Sequence, residues 1–158
     1  MTFPPQDDID RIMTVMERAF DPHWGEAWTR RQVEDSLRFA HTHYYLLPDE
    51  DGDGNRRADA FALVRSAPGE EEVLLLAVTP DRQRRGLGRQ VLHQVIAAAR
   101  AREAESLFLE MRENNPAADF YRAAGFEPIG RRKGYYRTGN GQVLDAVTLR
   151  LAIASPSI

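Results

Sequence analysis

One mixed α/β domain, a sheet of mixed strand direction covered by helices, accounts for the pattern of this 158-residue chain. Apolar residues recur at helical spacing in separate stretches, and short apolar runs bounded by turn-forming residues lie between and after them. The two patterns succeed one another as helix, helix, three strands, helix, strand, helix and further strands. Residues 1–154 make up the domain in this reading and residues 155–158 a short tail, with no repeat or linker dividing the chain.

Ile9, Ile12, Met13, Met16 and Phe20 share one helical face, so a first helix starts near Asp7 or Asp8 and buries that stripe. A loop over 21–28 carries both tryptophans. Thr29-Arg30-Arg31-Gln32 has the form of a capping box, in which the two polar side chains satisfy otherwise orphaned backbone N–H groups. Val33 and Leu37 give this second helix its apolar face. Residues 44–47 and 60–64 read as a hairpin with a long acidic turn, and the almost wholly apolar run 73–78 as a strand covered on both faces. A long helix follows Gly88, with Val91, Leu92, Val95, Ile96 and Ala99 inward. Residues 107–111 form a strand interrupted chemically by Glu110. Residues 116–124 suit a helix with Pro116 near its start and Gly125 as its stop, and strands over 126–129 and 143–151 complete the order.

Composition excludes several chemistries. Hydrophobic residues make up 42% and charged residues 28%, and no apolar run approaches the roughly 20 residues of a membrane span, so no membrane contact is expected. The opening ten residues are acidic and polar and lack the character of a targeting segment, which predicts a cytoplasmic protein. Cysteine is absent, which removes disulfides, thiolate metal sites and any acyl-cysteine intermediate. The net charge of -3 argues against direct nucleic-acid binding, although basic residues gather at Arg82, Arg84, Arg85 and Arg89 and again at Arg131, Arg132 and Lys133.

The stretch 78–89 carries the most chemistry: a buried strand runs into a glycine-containing turn that opens a helix. Gly86 and Gly88 let backbone approach a ligand, and the helix start directs N–H groups and positive dipole toward an anion such as a pyrophosphate. A helix start with solvated arginines has the same composition. Glu110 stands in an otherwise apolar strand, where a carboxylate is costly unless it is paired or used. Alternation sets Phe108 and Glu110 on one face, opposite Leu107, Leu109 and Met111. An ion pair to a nearby arginine and a role as general base both suit it. Tyr121, at helical spacing with Ala117 and Phe120, has the position of a core residue. Tyr135 and Tyr136 fall in a strand before the turn 138–141, as a hairpin pair or as one wall of an opening.

Gln83-Arg84-Arg85-Gly86-Leu87-Gly88 resembles the Q/R-x-x-G-x-G/A signature of the GNAT acetyltransferases, and Asn114, Ala117, Phe120, Tyr121, Gly125 and Phe126 resemble their second signature. The segments 131–136 and 145–151 are similar to the ending of the bacterial ribosomal-protein alanine N-acetyltransferases, the RimI-like group. The resemblance spans about 19–151 and implies the GNAT fold: a splayed, mostly antiparallel sheet flanked by helices on both faces. It further implies acetyl-CoA as donor, no metal, and direct transfer to a primary amine. Backbone at Leu76 and Val78 would hold the pantetheine arm and the acetyl carbonyl, and Arg84, Arg85, Gly86, Leu87, Gly88 and Arg89 the pyrophosphate. Asn114 would bond the pantetheine or cap the following helix, Tyr121 would protonate the leaving thiolate and Glu110 would take the acceptor's proton. Trp28, Tyr135 and Tyr136 would receive the acceptor, a peptide or protein N-terminus of the kind a ribosomal protein offers. Two departures from the group's pattern stand out. The step from Glu110 to Asn114 is one residue short while that from Asn114 to Tyr121 is intact, and the 21–28 loop is longer. A small amine or a lysine side chain is the alternative acceptor, and a coenzyme-binding module without activity is the alternative of another class.

The acidic stretch beginning at Asp49 imitates the start of a calcium-binding loop, but Ala60 stands where the bidentate glutamate belongs and Arg56 lies inside, so a solvated turn is expected. His41 and His43 share a strand face without a third ligand, and His23 and His93 carry no signal.

Overall fold

The computed structural model describes residues 6–48, 58–80 and 86–153. Among these, four α-helices, α1 (Gln6–Ala19), α2 (Arg30–Leu37), α3 (Leu87–Ala101) and α4 (Ala118–Ala123), accompany six strands. The strands are β1 (Thr42–Leu47), β2 (Ala60–Ala67), β3 (Glu70–Val78), β4 (Ser106–Arg112), β5 (Glu127–Arg137) and β6 (Val143–Ala152). They lie in one sheet in the order β1-β2-β3-β4-β6-β5. Every neighbouring pair is antiparallel except β3–β4, which is parallel. Parallel neighbours need a crossover, and α3 supplies it.

Alternation along β2 divides the interior in two. Ala60, Ala62 and Val64 face a core built with Val91, Leu92 and Val95 of α3, Leu107 and Leu109 of β4 and Tyr121 of α4. Phe61 and Leu63 face the other side, where Ile9, Ile12 and Met16 of α1 and Val33 and Leu37 of α2 cover the sheet. Helices therefore flank both faces. The capping box of α2 forms as expected: Gln32 N–H donates to Thr29 Oγ1 at 3.2 Å and Thr29 N–H to Gln32 Oε1 at 2.8 Å. Ile96, expected inward, is only partly buried.

Differences from the sequence expectation gather where the sheet opens. β3 begins at Glu70 and pairs with β4 only through Glu70↔Ser106, Glu71↔Leu107 and Glu72↔Phe108. Its register against β2 then shifts, Leu63 facing Leu75 and Val64 facing Val73, which leaves Leu74 as an extra residue on β3. A bulge of this kind bends its strand, and β3 turns away from β4 beyond that point. Leu74, Leu75 and Leu76 are consequently half-buried rather than covered on both faces. The closed end of the opening is pinned by Glu71, which is 1% exposed and receives Arg102 Nε and Nη2 at 2.7 Å each. The segments expected as separate strands around 126–129 and Tyr135–Tyr136 are one long strand, β5, because pairing with β6 carries it through irregularities after Pro128 and Arg132.

Candidate active site

The opening between β3 and β4 is a cavity of about 440 Å³, within the usual size of a small-molecule pocket. Leu74, Leu75 and Leu76 form one wall, Leu109, Glu110 and Met111 the other, and Tyr121 the inner end. The mouth is framed by Trp24, Glu26 and Trp28 from the loop before α2 and by Tyr135, Tyr136 and Arg137 from β5. Thr79 N–H donates to Asp59 O at 2.8 Å, and antiparallel alternation then directs the backbone amides of Leu76 and Val78 away from β2, with Leu76 lining the opening.

Tyr121 is buried, standing edge-on to Phe120 with centroids 5.1 Å apart and to Phe126 at 5.5 Å. Burial first, and the Glu26 carboxylate second, push its phenol above the ordinary range, so it keeps its proton. Glu110 lines the cavity and is also paired: Arg132 Nε donates to Oε2 at 2.7 Å and Nη2 to Oε1. The ion pair weighed from the sequence therefore exists, on a carboxylate that still faces the cavity. Tyr135 and Tyr136 both reach the mouth, their rings in a T-shaped contact at 5.1 Å. Strict alternation would send one of them away. The ladder instead steps from Arg132↔Ala146 to Tyr136↔Leu144, around Gly134 at φ +65°, and both rings border the mouth, Tyr136 half-buried and Tyr135 exposed. Burial, then Glu26 and Glu110, push the Tyr136 phenol up to about 12.

Asn114 is neither a cap of α4 nor in the lining of this cavity. Its side chain accepts from Arg112 Nη1 at 2.6 Å on the exposed side of the turn. The neighbouring Asn115 lines the cavity, and its Oδ1 accepts from Ala117 N–H at 2.9 Å, making the turn that leads into α4. That turn absorbs Pro116 and Ala117, so the helix begins at Ala118.

Glu26 and Arg112 were not singled out in the sequence. Arg112 Nε donates to Glu26 Oε1 at 3.0 Å, Asn115 Nδ2 to Glu26 Oε2 at 3.3 Å, and the guanidinium lies 3.8 Å from the Trp24 ring centroid. The alternation that sets Glu110 on one face of β4 sets Arg112 on it too, which was the available signal. The second basic stretch is engaged as well, since Arg131 Nη1 reaches both Glu113 and Asp145 at 2.9 Å.

At the other end of the opening, Gly86 precedes α3 with φ +82°, a left-handed position that suits glycine. The helix starts at Leu87 rather than after Gly88. Its first internal bond is Gln90 N–H to Gly86 O at 3.0 Å, so the N–H groups of Leu87, Gly88 and Arg89 lie ahead of the ladder. Leu87 packs on the core, Arg89 is exposed, and a Cβ on Gly88 would sit 3.4 Å from Phe120 Cε1 and 3.6 Å from Val78 Cγ2. Gly88 therefore serves close packing of α3 against α4 and β3. Arg82, Gln83, Arg84 and Arg85 lie outside the described residues, as does most of the acidic turn after Pro48. A strand edge bent away from its neighbour and leading to a helix N-terminus fits a coenzyme with an amide-bearing arm and a pyrophosphate. Among the described residues no three His, Asp or Glu side chains converge as a metal site, and no helix is long and apolar enough to cross a membrane.

Residues 9–126 match the acetyltransferase (GNAT) family model. The chain is 32% identical over 149 residues, 93% of each chain, to the [ribosomal protein bS18]-alanine N-acetyltransferase of Escherichia coli (strain K12). It is 33% identical over 133 residues, 84% of this chain and 80% of the relative, to N-alpha-acetyltransferase RimI of Mycobacterium tuberculosis (strain ATCC 25618 / H37Rv). The crystal structure of the ribosomal-protein-S18-alanine N-acetyltransferase from Escherichia coli superimposes with a TM-score of 0.82 at 27% identity, covering 99% of this chain and 94% of that one. With the signature sequence ending in Gly86-Leu87-Gly88, the splayed β3–β4 pair and a match over 93% of the chain all in agreement, the chain belongs to the GNAT acetyltransferase family and is an acetyl-CoA-dependent N-acetyltransferase.

Proposed function

We propose that this enzyme transfers the acetyl group of acetyl-CoA directly to the α-amine of a polypeptide N-terminus, such as that of a ribosomal protein, in the cytoplasm. The observation that carries this reading is the shape of the mouth. Two aromatic side chains of β5, Tyr135 and Tyr136, and the tryptophan-bearing loop before α2 leave a slot leading to Tyr121, which suits an extended chain end. The names of the bacterial relatives, which act on alanine N-termini or α-amines, support the same acceptor.

The roles are those the family resemblance implies, and the geometry supports them. Acetyl-CoA supplies the activated acyl group; its arm would lie along the Leu76–Val78 edge, and its pyrophosphate at Gly86 and the N–H groups of Leu87, Gly88 and Arg89. Arg84 and Arg85 would add charge there. Backbone donors in the opening would stabilise negative charge growing on the acetyl oxygen. Tyr121, which keeps its proton, would give it to the departing sulfur. Glu110, facing the cavity from β4, would take the acceptor's proton, directly or through water. The demand on that base is modest. An α-amino group has a reference pKa of about 7.7–8.0 against about 10.4 for lysine, so far more of it is neutral near pH 7.

The test is mass spectrometric. With acetyl-CoA and a panel of ribosomal-protein N-terminal peptides, an acetyl group is expected on an N-terminal alanine while internal lysines stay unmodified. Modification mainly on lysine, or turnover with small amines alone, would overturn the acceptor assignment and leave the family untouched.

A further inference from the structure

We propose that Glu26 is a second acceptor-binding carboxylate, which holds the protonated amine at the mouth of the cavity opposite Glu110 and beside Tyr121 and Tyr136. This deepens the N-terminal acceptor reading and rests on it.

Glu26 belongs to the loop that is longer than in the RimI-like pattern, yet its side chain is only 13% exposed and lines the same cavity as Glu110. Removing a carboxylate from water is costly unless hydrogen bonds and an opposite charge replace the solvent. Arg112 on one oxygen and Asn115 on the other do so. The direction of that compensation matters. Arg112 and Arg132, which neutralise Glu26 and Glu110, do not line the cavity, whereas both carboxylates do. Arg137 is the one guanidinium in the described lining, and it stands with the β5 tyrosines. The two walls therefore present the negative ends of their ion pairs inward, the arrangement that receives an ammonium. The fields agree, since Glu26 and Glu110 both act on Tyr136 and Glu26 also acts on Tyr121.

The loop is also held in place. Gly25 closes the 3-10 turn Pro22–Trp24 in a left-handed conformation. The Gly139 N–H donates to His23 O at 2.8 Å, tying the loop to the β5–β6 turn. Trp24 packs on the Arg112 guanidinium. A carboxylate fixed from three directions binds without first having to be ordered. The reaction then works in its favour: acetylation turns the ammonium into a neutral amide, the attraction disappears, and product leaves more readily than substrate.

Calorimetry on the full chain saturated with CoA, which cannot react, tests this with two probes: an alanine-starting ribosomal-protein peptide and the same peptide acetylated at its N-terminus. The parent should prefer the free peptide by about tenfold or more. Glu26→Gln, which keeps the side-chain shape and an acceptor for Asn115, should lose most of that preference while its affinity for the acetylated peptide and for CoA stays within about twofold. Should E26Q not fold, the double variant E26Q/R112Q, which leaves no buried guanidinium unpaired, gives the same reading. An unchanged preference, or equal weakening of both peptides, overturns the role of Glu26 and leaves the acceptor reading standing. A parent without any preference overturns this inference, while the position of the acetyl group found by mass spectrometry decides the acceptor reading separately.

Discussion

Tyr121→Phe removes one oxygen and leaves the ring, which separates what the fold needs from what the chemistry needs. The ring is buried and stands edge-on to Phe120 and Phe126. Truncating it to alanine would vacate those contacts at a cost of about 3–5 kcal/mol. Phenylalanine keeps them, so the variant should unfold within about 1 kcal/mol of the parent in urea. The oxygen is the proposed proton donor to the leaving sulfur. Loss of such a group lowers a rate by about 10² to 10⁴, equivalent to about 2.7–5.4 kcal/mol on the barrier. The assay is release of free thiol at saturating acetyl-CoA and peptide, with coenzyme affinity measured alongside by calorimetry. Because burial and Glu26 raise the phenol above its ordinary value, Tyr121 does not ionise below about pH 10. The residual activity of the variant should therefore follow the same pH profile as the parent between neutrality and pH 9. A kcat within about threefold of the parent, or a fall in kcat matched by an equal fall in coenzyme affinity, would refute the assignment.

Three further outcomes follow from the same geometry. Gly86 sits at φ +82° with no atom of the described residues within 4 Å of where a Cβ would stand, so Gly86→Asn and Gly86→Asp carry similar backbone strain and differ in charge. Calorimetry should show acetyl-CoA affinity reduced more than about tenfold by Asp and less than about threefold by Asn, and equal losses would remove the anion cradle. Arg102→Ala leaves Glu71 buried without its guanidinium and should cost about 3–5 kcal/mol in urea unfolding; a loss below about 1 kcal/mol would mean that water re-enters to solvate the carboxylate. Tyr44 donates to Asp8 Oδ2 at 2.7 Å, and burial together with that bond raises its phenol to about 12. The native state then binds the proton more tightly than the unfolded chain, so this contribution is full below pH 10 and is lost as pH rises through 12. Unfolding free energy should decline over that window, and less steeply in Tyr44→Phe; identical slopes would exclude the linkage.

Much of the fold was legible in the sequence because the relevant forces act over a few residues. The α2 capping box is a pair of hydrogen bonds three residues apart, and both form. The apolar stripe of α1 and the opposed faces of β4 follow from helix and strand periods alone. Near Gly86 the sequence is legible in part: it predicts a glycine turn opening a helix, but the helix begins at Leu87 rather than after Gly88. What the tertiary structure decided was the site. The opening exists because a bulge at Leu74 bends β3 from β4, and no local pattern marks it. Asn115 rather than Asn114 enters the cavity, because the Asn115 side chain makes the turn into α4, a contact that one shared motif could not resolve. Glu26 meets Arg112 across 86 residues of chain. Periodicity and capping are written in neighbouring residues, whereas the partner of a buried charge is whichever group the packed sheet brings within hydrogen-bond reach, and that is known only once the chain has folded.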